Sequence, residues 1–271
     1  MRRRSSFQKR RKQKIVLAGI LIPLGIVILI FGTSFLLRRP FMIISKVNFI
    51  GNAVTTDAEL ESAVTKSIAG AYLGIFPKTN AFIFPKSDVE REIMSDFKRI
   101  ASVEVKRDNL KTVSIQITER SPQALWCTSD INGTTVHFSS DCYFMDQTGY
   151  IFSPSPEFSP TALLRFYGYV KNDPIGTKYF SEAVFSGLFT FSKNVTMLGL
   201  KPLRVYYNSD GDFELYIEKG GKILFARDTD FQKSFSNLQT LLSDQQAKIN
   251  NDGKLTVDYI DLRFGNKIYY K

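Results

Sequence analysis

Histidine and cysteine are scarce in this chain, which has one histidine, His137, and two cysteines, Cys127 and Cys142, in 271 residues. A structural zinc site needs four such ligands at short, regular spacings, and these three residues do not supply them. The sequence also lacks a phosphate-binding loop of the G-x-x-x-x-G-K-S/T type. We therefore predict neither a metal site nor a cofactor.

The sequence gives little support to a catalytic triad. His137 has Ser139, Ser140 and Asp141 as close neighbours along the chain. Triad members are adjacent in space, however, and neighbours along one loop rarely have the required geometry. The sequence therefore predicts a protein that is not an enzyme and that has no small-molecule substrate.

Acidic residues are absent from residues 1–37, a segment that contains eight basic residues. The whole chain has 36 basic and 26 acidic residues, so the part after residue 37 has 28 basic residues against 26 acidic ones. A nucleic-acid-binding protein usually carries a basic face on its folded part. Because the excess charge is confined to a short N-terminal run, we predict no nucleic-acid partner.

Residues 15–37 form an uncharged apolar run of 23 residues, IVLAGILIPLGIVILIFGTSFLL. About 20 apolar residues cross a bilayer as a helix, whereas the apolar part of a signal peptide has about 7–15 residues and precedes a small-residue cleavage site. We expect an uncleaved transmembrane helix after a basic tail, residues 1–14. The positive-inside rule places this tail in the cytoplasm, because only Arg38 and Arg39 directly follow the span.

The predicted topology places Cys127 and Cys142 outside the cytoplasm, where disulfides form and persist. A bond between these two residues would close a loop of about 15 residues, which the chain-entropy model values at about 3 kcal/mol. The alternative is a pair of free thiols in a reducing environment.

Residues 43–119 carry the signals of two helices and three strands. Thr56-Asp57-Ala58-Glu59 and Ser87-Asp88-Val89-Glu90 are both predicted to be capping boxes, each leading into apolar residues at helical spacing. An alternating strand at residues 46–50 precedes the first helix, and two more strands follow the second helix within residues 103–117. The order β-α-α-β-β predicts a complete small α+β domain.

This order of elements, directly after a single span, resembles a POTRA domain. Residues 103–122, VEVKRDNLKTVSIQITERSP, resemble the end of that domain in the FtsQ/DivIB family of bacterial cell-division membrane proteins. The family closes the domain with a Glu-Arg-x-Pro motif, which here is formed by Glu119, Arg120 and Pro122. The family commonly has a proline in the preceding turn, where this chain has Asn109-Leu110.

Residues 120–271 are expected to form the second, β-rich domain of that family, with flanking helices. Asp146 and Gly149 mark a turn that is similar to the family's Asp-x-x-Gly hairpin. Residues 131–142 are expected to form an inserted or lengthened loop that holds one cysteine. The whole chain is thus predicted to be an α+β protein with a single N-terminal transmembrane helix.

The last segment, YIDLRFGNKIYYK at residues 259–271, is predicted to be a hairpin with no further strand on its outer side. Its first arm alternates, with Ile260, Leu262 and Phe264 predicted to share one face, and Gly265-Asn266 suits a tight turn. The segment resembles the family's final strand and hairpin. The predicted partner-binding residues are Tyr259, Asp261, Arg263, Phe264, Lys267, Ile268, Tyr269 and Tyr270. The alternative is that Lys267 and Lys271 only protect this edge from aggregation.

The resemblance implies a non-catalytic scaffold of the bacterial division machinery, which acts in septum assembly as a single-pass type II protein of the inner (cytoplasmic) membrane. It implies that the POTRA domain helps to recruit the protein to the division septum. It also implies that the β domain binds the extracytoplasmic parts of FtsB/DivIC-like and FtsL-like partners. Two alternatives are a membrane-anchored sortase-like transpeptidase and a POTRA-bearing secretion or translocation component.

Overall fold

The computed structural model describes residues 6–132, 135–156, 162–168, 173–243, 249–250, 253–265 and 267–271, without the side chains of residues 6–13, 130–132, 135–137, 139 and 140. The chain divides into two compact units, Met1–Glu119 and Arg120–Lys271. The helices are α1 (Ser6–Leu37), α2 (Asp57–Ile68), α3 (Lys86–Asp96), α4 (Glu182–Met197) and α5 (Phe231–Ser243). The strands of the first unit are β1 (Lys46–Ile50), β2 (Ala71–Tyr72), β3 (Phe76–Pro77), β4 (Ile100–Arg107) and β5 (Thr112–Glu119). Those of the second unit are β6 (Ala124–Asn132), β7 (Thr135–Met145), β8 (Ile151–Pro154), β9 (Arg165–Gly168), β10 (Pro202–Tyr207), β11 (Phe213–Ile217), β12 (Lys222–Phe225), β13 (Tyr259–Phe264) and β14 (Lys267–Tyr270).

Helix α1 is long and apolar enough to cross a membrane. Its stretch Lys14–Leu37 covers 24 residues, and the mean hydropathy of its apolar window is 2.9. The side chains of this stretch are exposed, apart from the partly or fully covered Ile30, Ser34 and Leu37, which share one helix face. A helix that exposes apolar residues on its other faces requires an apolar solvent. This helix therefore fits a single-pass membrane protein.

The first unit contains a three-stranded sheet with the order β1-β5-β4. Strands β1 and β5 are parallel, whereas β4 and β5 are antiparallel. Helices α2 and α3 contribute Leu60, Val64, Val89 and Ile93 to a core that also contains Ile115 of the sheet, and each of these side chains is at most 2% exposed. The order β-α-α-β-β is present, with the short hairpin β2–β3 inserted between the two helices.

The predicted start of the first helix is confirmed, and that of the second is wrong. The Thr56 hydroxyl accepts a hydrogen bond from the Glu59 backbone N–H at 3.4 Å, and the Glu59 carboxylate accepts one from the Thr56 N–H at 2.8 Å. Helix α3, in contrast, begins after Pro85 without a side-chain cap. The carboxylate of Glu90 accepts a hydrogen bond from the backbone N–H of Val105 in β4 at 2.9 Å. The Glu90 carboxylate, which the local motif predicted to cap the helix, therefore forms a tertiary contact with β4 instead.

The second unit is built on a mixed sheet with the strand order β14-β13-β12-β11-β10-β9-β6-β7-β8. Helices α4 and α5 lie on one face, where Phe185, Phe191 and Leu238 pack with strand residues such as Trp126 and Phe213. Every one of these five side chains is at most 2% exposed. This helix layer buries one face of the sheet and leaves the end of the sheet at β14 for other contacts.

Cys127 and Cys142 form a disulfide between strands β6 and β7, where they lie directly opposite each other. The prediction of a lengthened loop over residues 131–142 is wrong for most of that segment. Strand β6 runs to Asn132 and β7 begins at Thr135, so both cysteines belong to the arms of one long hairpin. The side chain of His137 lies outside the part of the chain that the structure describes.

The carboxylate of Glu119 holds the loop that precedes α2. It accepts backbone hydrogen bonds from Ala53, Val54 and Thr55 at distances of 2.9 to 3.1 Å. Burial opposes the ionisation of Glu119, but these backbone bonds outweigh it and lower the pKa below the ordinary value of 4.5. Because the folded-state pKa is the lower one, this carboxylate stabilises the fold above the ordinary pKa, and the contribution is lost as the pH falls through the folded-state value.

Replacing Glu119 with Gln removes the charge and keeps the size of the side chain. We expect the free energy of unfolding at pH 7 to fall by about 1–2 kcal/mol, because hydrogen bonds to a charged acceptor are stronger than those to a neutral one. The difference from the wild type should shrink as the pH falls below the ordinary pKa of 4.5 and through the lower folded-state value, where the wild-type carboxyl group also becomes neutral. Urea unfolding of residues 43–271 at several pH values measures both effects.

Glu104→Gln is the matched control, since Glu104 forms an exposed ion pair with Lys106 at 2.8 Å. Exposed pairs contribute about 0–1 kcal/mol, so this variant should unfold close to the wild type. Equal losses in the two variants, or a loss at Glu119 that does not change with pH, would contradict the assigned role.

Candidate partner-binding edge of the second domain

The structure brings the eight predicted partner-binding residues together at one end of the large sheet. Strand β13 runs parallel to β12, and β14 pairs with β13 in the antiparallel sense. Within the described residues, β13 is the one strand that pairs with β14. An end strand of this kind can be extended by another chain.

The register of β14 determines which of its backbone groups point outward. Lys271 and Tyr259 exchange backbone hydrogen bonds at 3.3 Å in both directions. Because the hydrogen-bonding direction alternates along an antiparallel strand, the N–H and C=O of Tyr269 also face β13, and those of Ile268 face away from it. The outer side of β14 therefore presents a backbone donor and a backbone acceptor at Ile268.

Two aromatic side chains form an exposed pair on this hairpin. Phe264 and Tyr269 are 56% and 50% exposed, and their rings meet edge to face with centroids 5.3 Å apart. The neighbouring Tyr270 is also exposed, as are Lys267 and Lys271 on either side. The hairpin thus carries an aromatic surface that is bounded by two cations.

Phe264 does not lie on the core face where the alternating pattern placed it. Ile260 and Leu262 are 0% and 3% exposed, as predicted. The register between β13 and β14 shifts between Asp261 and Phe264. A shift of this kind inserts an extra residue and changes the direction of the side chains that follow it. The irregularity therefore adds Phe264 to the exposed aromatic pair.

Arg263 links the hairpin to the interior of the sheet. Its guanidinium donates to both carboxylate oxygens of Asp261, at 2.9 and 2.7 Å, and to Asp212 at 2.8 Å. The hydrogen bonds to Asp261, followed by those to Asp212, raise the pKa of Arg263. Asp261 is only 5% exposed. Asp261 and Arg263 therefore hold the hairpin in place, with Asp261 buried and Arg263 at the surface.

Sequence reasoning missed two residues that position the hairpin. Asp212 lies 51 residues before Arg263, its partner, and Asn237 of α5 donates to the Gly265 carbonyl, 28 residues away, at 2.8 Å. Gly265 itself has a φ of +68°, which glycine adopts without strain. No local pattern reports such distant contacts. The other predicted turn residue, Asn266, lies outside the described residues.

Two residues of the Glu-Arg-x-Pro motif stabilise loops: Glu119 holds the loop before α2, and Arg120 holds the turn at Asp146. Arg120 donates to the buried carboxylate of Asp146, and its guanidinium lies 4.1 Å from the centre of the Tyr150 ring. Burial opposes the ionisation of Asp146, but hydrogen bonds from Thr148, Tyr150 and Arg120 outweigh it and lower its pKa. Pro122 is exposed. Consecutive motif residues thus stabilise the first unit through Glu119 and the second through Arg120.

An apolar helix, followed by two helices packed on a three-stranded sheet, defines a single-pass protein that carries a POTRA domain. The domain is of the FtsQ type, since residues 42–120 match the family model of the POTRA domain, FtsQ-type. A comparison of the chain with curated proteins finds no match. The domain type indicates a division-related scaffold and a class of protein that is generally non-catalytic.

Replacing Arg263 with Leu should destabilise the second unit by about 2–3 kcal/mol, because it leaves the buried carboxylate of Asp261 without its charged donor. Thermal unfolding of residues 120–271 measures this loss. Arg227→Leu is the control, since Arg227 is an exposed arginine that donates to the Tyr207 hydroxyl. A smaller loss for Arg263→Leu than for the control would show that the Asp261–Arg263–Asp212 bridge does not hold the hairpin.

Proposed function

We propose that this protein is a non-catalytic scaffold of the bacterial division machinery that holds partner chains against the outer edge of β14. The observation that carries the proposal is the position of β14 at the end of the sheet, with an outward-facing backbone at Ile268 and an exposed aromatic pair at Phe264 and Tyr269. The FtsQ-type POTRA domain in the same chain supports a role in division.

The partners are the extracytoplasmic parts of FtsB/DivIC-like and FtsL-like membrane proteins. An extended segment of a partner adds to β14 as a further strand, and the backbone of Ile268 supplies hydrogen bonds to it. Tyr269 and Phe264 provide aromatic contacts, a residue class that dominates many interfaces. The bridge from Asp261 through Arg263 to Asp212 orders the hairpin before binding, which lowers the entropic cost of association.

The topology that this function requires agrees with the distribution of charge. Eight basic residues precede the span in residues 1–14, which favours a cytoplasmic N-terminus. Both folded units then lie outside the cytoplasm of a type II protein in the inner membrane. In this arrangement the POTRA domain helps to recruit the chain to the septum, and the second unit captures the partners.

The disulfide supports a scaffold over a sortase-like transpeptidase. An enzyme of that type attacks its substrate with a cysteine thiolate, whereas Cys127 and Cys142 are bonded to each other. The second alternative, a POTRA-bearing secretion or translocation component, usually has repeated POTRA units, and the match to the POTRA model covers one stretch, residues 42–120.

Deleting residues 266–271 should abolish capture of the partner segments and leave the remaining domain folded, because it removes the strand to which the partner adds. Tyr269→Lys should weaken capture by removing an aromatic contact. Met197→Lys is the matched control, because Met197 is a 76% exposed apolar residue of α4 in the same unit. Pull-down of a FtsB/DivIC-like extracytoplasmic segment, together with circular dichroism, gives both readouts. Undiminished capture by the deletion variant would refute the role of β14.

A second pair of variants isolates the backbone contribution. Ile268→Pro and Ile268→Ala both remove the isoleucine side chain, but only proline also removes the outward-facing N–H. We expect the proline variant to bind the partner about tenfold more weakly than the alanine variant, since about 1.4 kcal/mol corresponds to a factor of ten. Isothermal titration calorimetry gives the two dissociation constants. Equal values would mean that the partner does not pair with β14 through this N–H.

A further inference from the structure

The short hairpin β2–β3 is hydrogen-bonded to the membrane-spanning helix. The carbonyl oxygen of Ile75, in the hairpin turn, accepts a hydrogen bond from the Ser34 hydroxyl at 2.9 Å and another from the Arg38 guanidinium at 3.0 Å. Ser34 lies three residues before the end of α1 at Leu37, which is about 4.5 Å along a helix axis. The hairpin therefore lies beside the last turn of the span.

A second contact fixes the segment that follows the hairpin. The side-chain amide of Asn80 donates to the carbonyl oxygen of Leu37 at 2.7 Å, and the N–H of Ala81 donates to the Met42 carbonyl at 2.8 Å. Asn80 is fully buried. The hairpin turn and the segment after the hairpin are thus both held against the exit of α1, and this sets the depth of the hairpin relative to the span.

The tip of this hairpin exposes a strained apolar residue. Leu73 is 89% exposed and has a φ of +51°, a conformation that is unfavourable for a residue with a Cβ atom. The next residue, Gly74, and the earlier Gly70 also have positive φ. Because the Leu73 side chain is so exposed, it adds little to the core of the domain. Strain at an exposed position of this kind is typical of a site that contacts something outside the fold.

Aromatic rings and cations surround the same end of the span. Phe41 and Phe82 are 54% and 58% exposed, and the guanidinium of Arg107 lies 5.2 Å from the centre of the Phe82 ring. The Lys78 ammonium group lies 5.7 Å from the centre of the Tyr72 ring. Aromatic residues are enriched at the membrane–water interface, and long basic side chains extend from apolar surroundings towards the headgroups.

We propose that the hairpin tip, residues 72–74, inserts into the boundary between headgroups and acyl chains of the leaflet through which α1 leaves the membrane. The ligand is the lipid surface itself. This inference rests on the membrane span and does not depend on partner binding at β14.

The membrane-spanning helix α1 allows the small apolar tip of the hairpin to bind the lipid surface. One leucine and one tyrosine are too little to hold a soluble domain on a membrane. Here α1 already keeps the domain at the surface, so insertion of the tip is an intramolecular event at high effective concentration. The contact then limits how far the POTRA domain can tilt about the end of α1.

Spin labels on two cysteine variants of the full chain test the proposal. Leu73→Cys places the label at the hairpin tip. Val54→Cys is the matched control, since Val54 is 61% exposed and lies after β1 in the loop that the Glu119 carboxylate holds. Labelling without reductant leaves the Cys127–Cys142 disulfide intact. In phosphatidylcholine vesicles, the accessibility of the label to oxygen relative to a water-soluble nickel chelate should be several-fold higher at position 73 than at position 54. Equal ratios would overturn the proposal.

Two further measurements separate lipid from protein contacts. The ratio at position 73 should persist when residues 266–271 are also deleted, because that deletion affects only the β14 edge. If position 73 were shielded from nickel in native membranes but not in vesicles of the purified chain, a protein would occupy the site and the lipid proposal would be wrong. Replacing part of the phosphatidylcholine with phosphatidylglycerol should leave the ratio at position 73 high, since apolar insertion does not require an anionic headgroup.

Discussion

The candidate binding edge depends on the hydrogen bonds that the guanidinium group of Arg263 donates to Asp261 and Asp212. Strand β14 pairs with β13 alone within the described residues, so its position is only as well defined as that of β13. Arg263, which also bonds to Asp261 within β13, connects this strand through Asp212 to the turn between β10 and β11. A charge-assisted bridge that joins distant segments orders the edge at little cost, because the guanidinium fork is already planar and rigid.

Polar groups also position an exposed apolar surface in the first unit. The Ile75 carbonyl and the Asn80 amide hold the β2–β3 hairpin against α1, so the POTRA domain is attached to the span by side-chain contacts as well as by the chain itself. In both places a few polar groups determine the position of an exposed apolar surface. The apolar surfaces are suited to contacts outside the molecule, and the polar groups control where those surfaces lie.

Features that depend on near neighbours could be predicted from the sequence. The capping box at Thr56, the glycine turn at Gly265 and the apolar alternation of Ile260 and Leu262 all have the predicted form. Features that depend on distant contacts or on a change of register could not. The exposure of Phe264 follows from an irregularity in strand pairing, and the contact between Arg263 and Asp212 joins residues 51 positions apart.

Strand β4 of the POTRA sheet and strand β14 of the second domain differ in how their edges are protected from pairing with another chain. The Glu90 carboxylate occupies the Val105 N–H on β4, which is one of the two end strands of the POTRA sheet. An approaching strand would first have to displace this charged acceptor. Among the described residues, the exposed Lys267 and Lys271 flank β14. Under the proposed function, a copy made without a partner exposes the β14 edge, and exposed strand edges favour aggregation and recognition by quality-control proteases. Under the same proposal, the amount of this protein in the cell follows the supply of its partners.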